Sequence, residues 1–355
     1  EEDEEQSWVP YKKINEKMDK FMVFFAKLPH PETLPMQETL FQVLLYMLEN
    51  KSVRTQELAL AALLQWHKAS LQPYAGQLSK LVKGKSVADQ LSKFQVFDRA
   101  VVREQARHDV AEVVMHILYP RMFKLRRAHN RSATTRTAVL AYFANYAPAD
   151  LAMVVDRILY PLEHRKEEEE EIAKMQDGGA GGVIEDENEK EEQEENEKEQ
   201  EEEEQEEGKE EQQEEVMIDK HAQTHIRLVT DFVEELSVKC EPFVGRFLAV
   251  LAPYSTTTAS AKEAGGVRAA AFRALTTLFS LFDDSKMADD ATSKEQHHLG
   301  VAAVAQFLDR AAPTIARSLH ASRCASPPAV FGCLLAMADS DALLALFPQH
   351  RAIYP

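Results

Sequence analysis

Apolar residues recur along most of the chain with the spacing of helices, and no stretch of useful length alternates with period two. The clearest pattern lies between Asp109 and Pro161, where one motif is written twice. Residues 109–120 read DVAEVVMHILYP and residues 150–161 read DLAMVVDRILYP, identical at eight of twelve positions and 41 residues apart. In the first copy Val110, Val113, Val114, Ile117 and Leu118 fall at i, i+3, i+4, i+7 and i+8. Leu151, Val154, Val155, Ile158 and Leu159 repeat that spacing, so each copy predicts a helix with one apolar face. Asp109 and Asp150 stand where a carboxylate caps or favourably charges a first turn. Pro120 and Pro161 are expected to stop the helices, because proline lacks an N–H and biases the preceding residue away from helix. Between the copies, residues 132–147 carry Val139, Tyr142, Phe143 and Tyr146 in helical register. One repeat is thus helix, basic connection, helix. A period of about 40–47 residues marks stacked pairs of the HEAT/armadillo kind, which bury their stripes only against one another.

The remaining segments extend the pattern. A helix is expected over residues 8–28, with Ile14, Met18, Phe21, Phe25 and Leu28 on its inner side. The run Leu40, Phe41, Val43, Leu44, Leu45, Met47 and Leu48 predicts one buried on most sides, and Leu60, Leu63 and Leu64 mark the next. Tyr74, Leu78, Leu81 and Val82 form another, ended by Gly84, and residues 87–97 a shorter one. After residue 216 the period resumes with Leu228, Val229, Phe232, Val233 and Leu236. Phe243, Phe247 and Leu251 follow, with an end expected at Pro253. Residues 267–275 predict a helix, residues 298–319 another broken at Pro313, and residues 328–346 the last. The fold class expected is all-α: an α-solenoid of HEAT/armadillo-like helix pairs with a long disordered acidic insertion.

Charge changes the picture in one place. Residues 167–215 hold 26 acidic against 4 basic residues, a net of −22, so the −18 of the whole chain leaves +4 elsewhere. The tract has no apolar seam for a coiled coil and too few lysines for a salt-bridged helix, and it is expected to be disordered. The expected organisation is therefore a disordered acidic start (1–7), a helical-repeat segment (8–166), the acidic linker (167–215) and a second helical-repeat segment (216–355). The chain opens on an acidic run without Met and is read as a piece of a longer protein. No run of 18 apolar residues predicts a membrane span. Cys240, Cys324 and Cys333, an odd and unpaired set, suggest a reducing, intracellular compartment.

Particular residues add a resemblance. Gln56-Glu57-Leu58-Ala59-Leu60, Leu63-Leu64-Gln65-Trp66, Leu71 with Pro73-Tyr74, and Leu78 with Leu81 stand in an order that resembles one family. Leu91 with Phe94, and Ile117-Leu118-Tyr119 with Arg121-Met122, continue it. That family is DRIM (down-regulated in metastasis), the very large HEAT-repeat component of the small-subunit processome. The similarity covers residues 35–165 well and the part after the acidic tract loosely. The family usually carries arginine where His116 stands. The resemblance implies a nucleolar, nuclear scaffold without enzymatic activity, supporting assembly and processing of small-subunit (18S) pre-rRNA. Its implied partners are pre-ribosomal RNA and small nucleolar RNP and processome proteins, with no membrane and no small-molecule substrate.

The candidate contact is the basic connection after the first copy. Arg121, Lys124, Arg126, Arg127, Arg131 and Arg136 place six cations within sixteen residues, with no acidic residue among them. Such a cluster neutralises phosphates without reading bases. A solvated loop or part of a nuclear import signal is the competing reading. No catalytic set, metal site or cofactor is expected. His297-His298 lacks ligand partners at the usual spacing, and Gly178 to Gly182 lacks the Lys-Ser/Thr of a phosphate loop. His108 and His116 are read as a polar flank. Two other functions use a similar chain: an importin-like nuclear transport receptor, and an acidic histone-chaperone-type adaptor.

Overall fold

The computed structural model describes residues 11–84, 86–123, 129–165, 221–256, 264–282, 291–320 and 329–346; for residues 11–16, 129–133, 264–265, 291–293, 314 and 318–320 it describes the backbone alone. The described residues are helices and turns with no strand among them, an all-α array of helix pairs. The acidic tract 167–215 and Cys324 lie outside the described residues. Two compact units divide between Val154 and Val155.

The first unit holds α1 (Tyr11–Phe25), α2 (Gln37–Met47), α3 (Val53–Leu64), α4 (Ala75–Lys83), α5 (Val87–Lys93), α6 (Arg107–Leu118), α7 (His129–Phe143) and the start of α8 (Pro148–Glu163). Helices one or two apart in the order pack on one another: α1 and α2 on α3, α3 on α4, and α5 on α7. Ser52 starts α3 by accepting the Thr55 N–H at 3.3 Å, a cap worth about 1 kcal/mol. Gly84 follows the last residue of α4, as expected. The core combines leucines, with Leu44, Leu45, Leu48, Leu63, Leu78 and Leu81 shielded from solvent, and aromatic rings such as Phe143 and Tyr146. Two of the polar side chains that enter it satisfy backbone groups. The Gln56 amide donates to the Leu48 carbonyl, and the Tyr142 hydroxyl donates to Phe94 O at 2.8 Å while accepting the Val96 N–H at 3.3 Å.

Both copies of the repeated motif are helical, and every stripe residue in them is buried. Their starts are adjacent, since His108 Nδ1 lies 3.2 Å from the Asp150 carboxylate. Helix α6 ends at Leu118, and Pro120 opens a 3-10 turn over Tyr119–Met122.

Pro161 behaves otherwise than expected, since α8 continues through it to Glu163. In the second unit, which holds the remainder of α8, two further helices run past a proline expected to end or break them. That unit comprises α9 (residues 221–236), α10 (Val244–Thr256), α11 (Ala264–Phe279), α12 (Ala291–His320), α13 (Ala329–Ala338) and α14 (Asp341–Leu344). Pro253 lies inside α10 and Pro313 inside α12. The residues just beyond each proline explain the continuity. Leu162, Tyr254, Ile315 and Ala316 are all buried. A proline costs about 3 kcal/mol within a helix, and burying one large apolar side chain returns about 1.5–3 kcal/mol.

The phase of α1 also differs from expectation. Among its described side chains Met22 is buried, at 4% exposure, while Phe21 is exposed. Asp19 sets this rotation by accepting the Thr55 hydroxyl at 3.1 Å and pairing with Arg54 at 3.4 Å, both on α3. In α2, Val43 stays exposed although its neighbours Leu44 and Leu45 are buried.

Within the second unit α10 packs on α11 and α12, and α11 on α13. Close approach depends on two small residues. A Cβ on Gly300 would stand 2.7 Å from the Phe282 ring, and one on Gly332 would stand 3.1 Å from Thr276 Oγ1. Cys333 follows Gly332 and donates from Sγ to Phe272 O at 2.8 Å. Arg246 of α10 pairs with Asp156 and Glu163 of α8, and the Tyr254 hydroxyl donates to Leu162 O at 2.9 Å.

Candidate nucleic-acid interface

The basic connection is anchored at both described ends. Tyr119 and Met122 are buried in the 3-10 turn, and the Tyr119 ring meets Phe123 edge-on at 5.2 Å. Between them Arg121 reaches back to α4, where Nη2 donates to Val82 O at 2.8 Å. Burial lowers the Arg121 pKa, yet a guanidinium stays protonated in proteins. This turn packs on α7, which begins at His129. Arg136, on the second turn of α7, is 6% exposed. Arg131 lies on the first turn of α7, where the backbone alone is described. Lys124, Arg126 and Arg127 lie outside the described residues. Arg121 and Arg136 therefore bracket the connection from within the packing of α4, α6 and α7.

Of the six cations of the connection, Arg121 and Arg136 have described side chains, and both are drawn into the helical packing. Among the described residues no group of three or more His, Cys, Asp or Glu side chains is placed to hold a metal ion. His297 is buried with its ring edge-on to Phe282 at 5.2 Å, while His298 is exposed, so the adjacent pair is split between core and solvent. The thiols of Cys240 and Cys333 are buried and pushed up to about 12 by desolvation, which suits small core residues rather than nucleophiles. No described helix is long and apolar enough to cross a membrane.

One polar contact escaped the sequence reading. His108 is exposed, as a polar flank predicts, but His116 is 5% exposed and its Nδ1 lies 2.7 Å from Glu49 Oε1. The Tyr46 ring packs edge-on against the imidazole at 5.6 Å. The partner stands 67 residues away, so local periodicity carries no sign of it. The only signal in the chain is position, since His116 adjoins the stripe residue Ile117.

A family described as U3 small nucleolar RNA-associated protein 20, N-terminal, matches residues 12–297, about four-fifths of the sequence. The chain belongs to that family, the N-terminal part of U3 small nucleolar RNA-associated protein 20.

Proposed function

We propose that this chain is a non-enzymatic scaffold of the nucleolar small-subunit processome, of the DRIM type, supporting assembly and processing of 18S pre-rRNA. The observation that carries this reading is the family match over residues 12–297, whose description is of a U3 small nucleolar RNA-associated protein. Stacked helix pairs suit the role, because each adds surface without needing a reaction centre. The organisation proposed is two helical-repeat segments, 8–166 and 216–355, joined by the acidic linker 167–215. Pre-ribosomal RNA and small nucleolar RNP or processome proteins are the proposed partners. In the basic connection, Arg121 and Arg136 position the two ends, and Lys124, Arg126, Arg127 and Arg131 neutralise RNA phosphates.

The test is a charge reversal, Arg126→Glu, Arg127→Glu and Arg131→Glu together, with association to pre-ribosomal particles followed over a salt series. Weaker association and a shallower salt dependence are expected. Binding and slope equal to those of the unsubstituted chain would remove the connection from the contact surface.

A further inference from the structure

Helix α1 turns two aromatic rings away from the core. Phe21 is 65% and Phe24 59% exposed. The opposite side of the helix is fixed by Met22 in the core and by Asp19 on Arg54 and Thr55 of α3. At 3.6 residues per turn, Lys17, Lys20, Phe21 and Phe24 share an arc of roughly 100° directed away from Asp19 and Met22. Lys27 follows in the turn that leaves the helix, and all five side chains are exposed. Asp19, the acidic residue between them in sequence, is occupied on the far side.

This face offers two flat apolar rings framed by three ammonium groups. A wholly apolar partner covers the rings and strips water from the cations without compensation. A simple anion satisfies the cations and leaves the rings wet. Single-stranded nucleic acid meets both needs, since its bases present free faces for stacking and its phosphates lie within reach of lysine. A duplex supplies the phosphates but keeps its base faces stacked on one another.

We propose that the Lys17–Lys20–Phe21–Phe24–Lys27 face of α1 docks single-stranded RNA, with bases stacked on the two phenylalanines and phosphates on the lysines. The proposal rests on the RNA-associated role argued above and adds a surface remote in sequence from the basic connection. The experiment uses the 355-residue chain, a fluorescein-labelled oligouridylate of about 20 nucleotides, and the matching duplex with oligoadenylate, read by anisotropy over a salt series. The unsubstituted chain is expected to prefer the single strand. Phe21→Ala with Phe24→Ala weakens that binding at least about tenfold and leaves the salt slope unchanged. Lys17→Glu, Lys20→Glu and Lys27→Glu together reduce the slope by about 2. All five positions are exposed, so unchanged thermal unfolding serves as the control for folding.

The charge reversal in the basic connection is run in parallel. Full binding by the α1 variants, with loss only in the connection variant, overturns the α1 surface and leaves the proposed function standing. An unsubstituted chain that binds neither RNA overturns both contacts. Variants of α1 that keep RNA affinity yet fail to join pre-ribosomal particles also overturn the RNA surface and assign the face to a protein.

Discussion

His225 shows how one buried side chain ties stability to pH. It is 4% exposed on α9, and its ring centroid lies 4.6 Å from that of His221. Burial first, then the charges of His221 and Arg157, hold its pKa down to about 3. The imidazole is therefore neutral in the fold at every pH between about 3 and 6.5, whereas the unfolded chain binds a proton there. The unfolded state gains protons as pH falls, so this group's contribution to stability declines below about pH 6.5. Over the span from about pH 6.5 to 5 the loss is about 2 kcal/mol. Urea unfolding followed at both pH values is expected to show that loss, and His225→Leu is expected to remove it. Parallel pH profiles for the two proteins would exclude His225 as the source. His225 was not singled out in the sequence, although its place four residues before Val229 and seven before Phe232 puts it on the apolar stripe of that helix. The pairing of His116 with Glu49 was not legible, since nothing local links two residues in different helical pairs.

At the scale of elements, periodicity identified helices and misplaced several of their ends. Every stripe residue of the duplicated motif is buried, because a spacing of three and four is enough to define a face. Proline was a weaker guide, since Pro120 leaves α6 while Pro161, Pro253 and Pro313 sit inside helices. Whether a helix survives proline depends on what the following turn buries, and that is a tertiary quantity. The rotation of α1 has the same origin. A stripe through Phe21 and Phe25 was available, yet the polar contacts of Asp19 with α3 select the phase that exposes Phe21. Helix α12 allows the two kinds of term to be separated by opposite substitutions. Pro313 is exposed, so Pro313→Ala restores a backbone donor without creating a cavity and is expected to stabilise by up to about 3 kcal/mol. Gly300→Ala gains about 1 kcal/mol of helix propensity but drives a methyl into the Phe282 ring, where a Cβ has 2.7 Å. Overpacking costs about 1–3 kcal/mol, so a net loss is expected. Thermal unfolding of the two variants should shift in opposite directions. An upward shift for Gly300→Ala would mean that the ring moves aside freely.

The whole molecule joins a strongly acidic tract to helical segments that carry the opposite charge. Removing residues 167–215 would change the net charge from −18 to +4, although no residue of the proposed RNA contacts would be touched. If the tract influences RNA binding through its field, the effect must follow screening. The Debye length is about 30 Å at 0.01 M salt and about 8 Å at 0.15 M. Clefts and surfaces of one charge sign alter association rates by about 10-fold to 1000-fold when screening is weak. The deletion is therefore expected to tighten binding of the single-stranded oligonucleotide by about tenfold at 0.01 M salt, mainly through a faster association rate. By 0.15 M the deleted and complete chains should bind alike. Stopped-flow association at the two salt concentrations reads this directly. A difference that persists at 0.15 M would argue against a field effect and for direct contact of the tract with the basic surfaces, in competition with RNA.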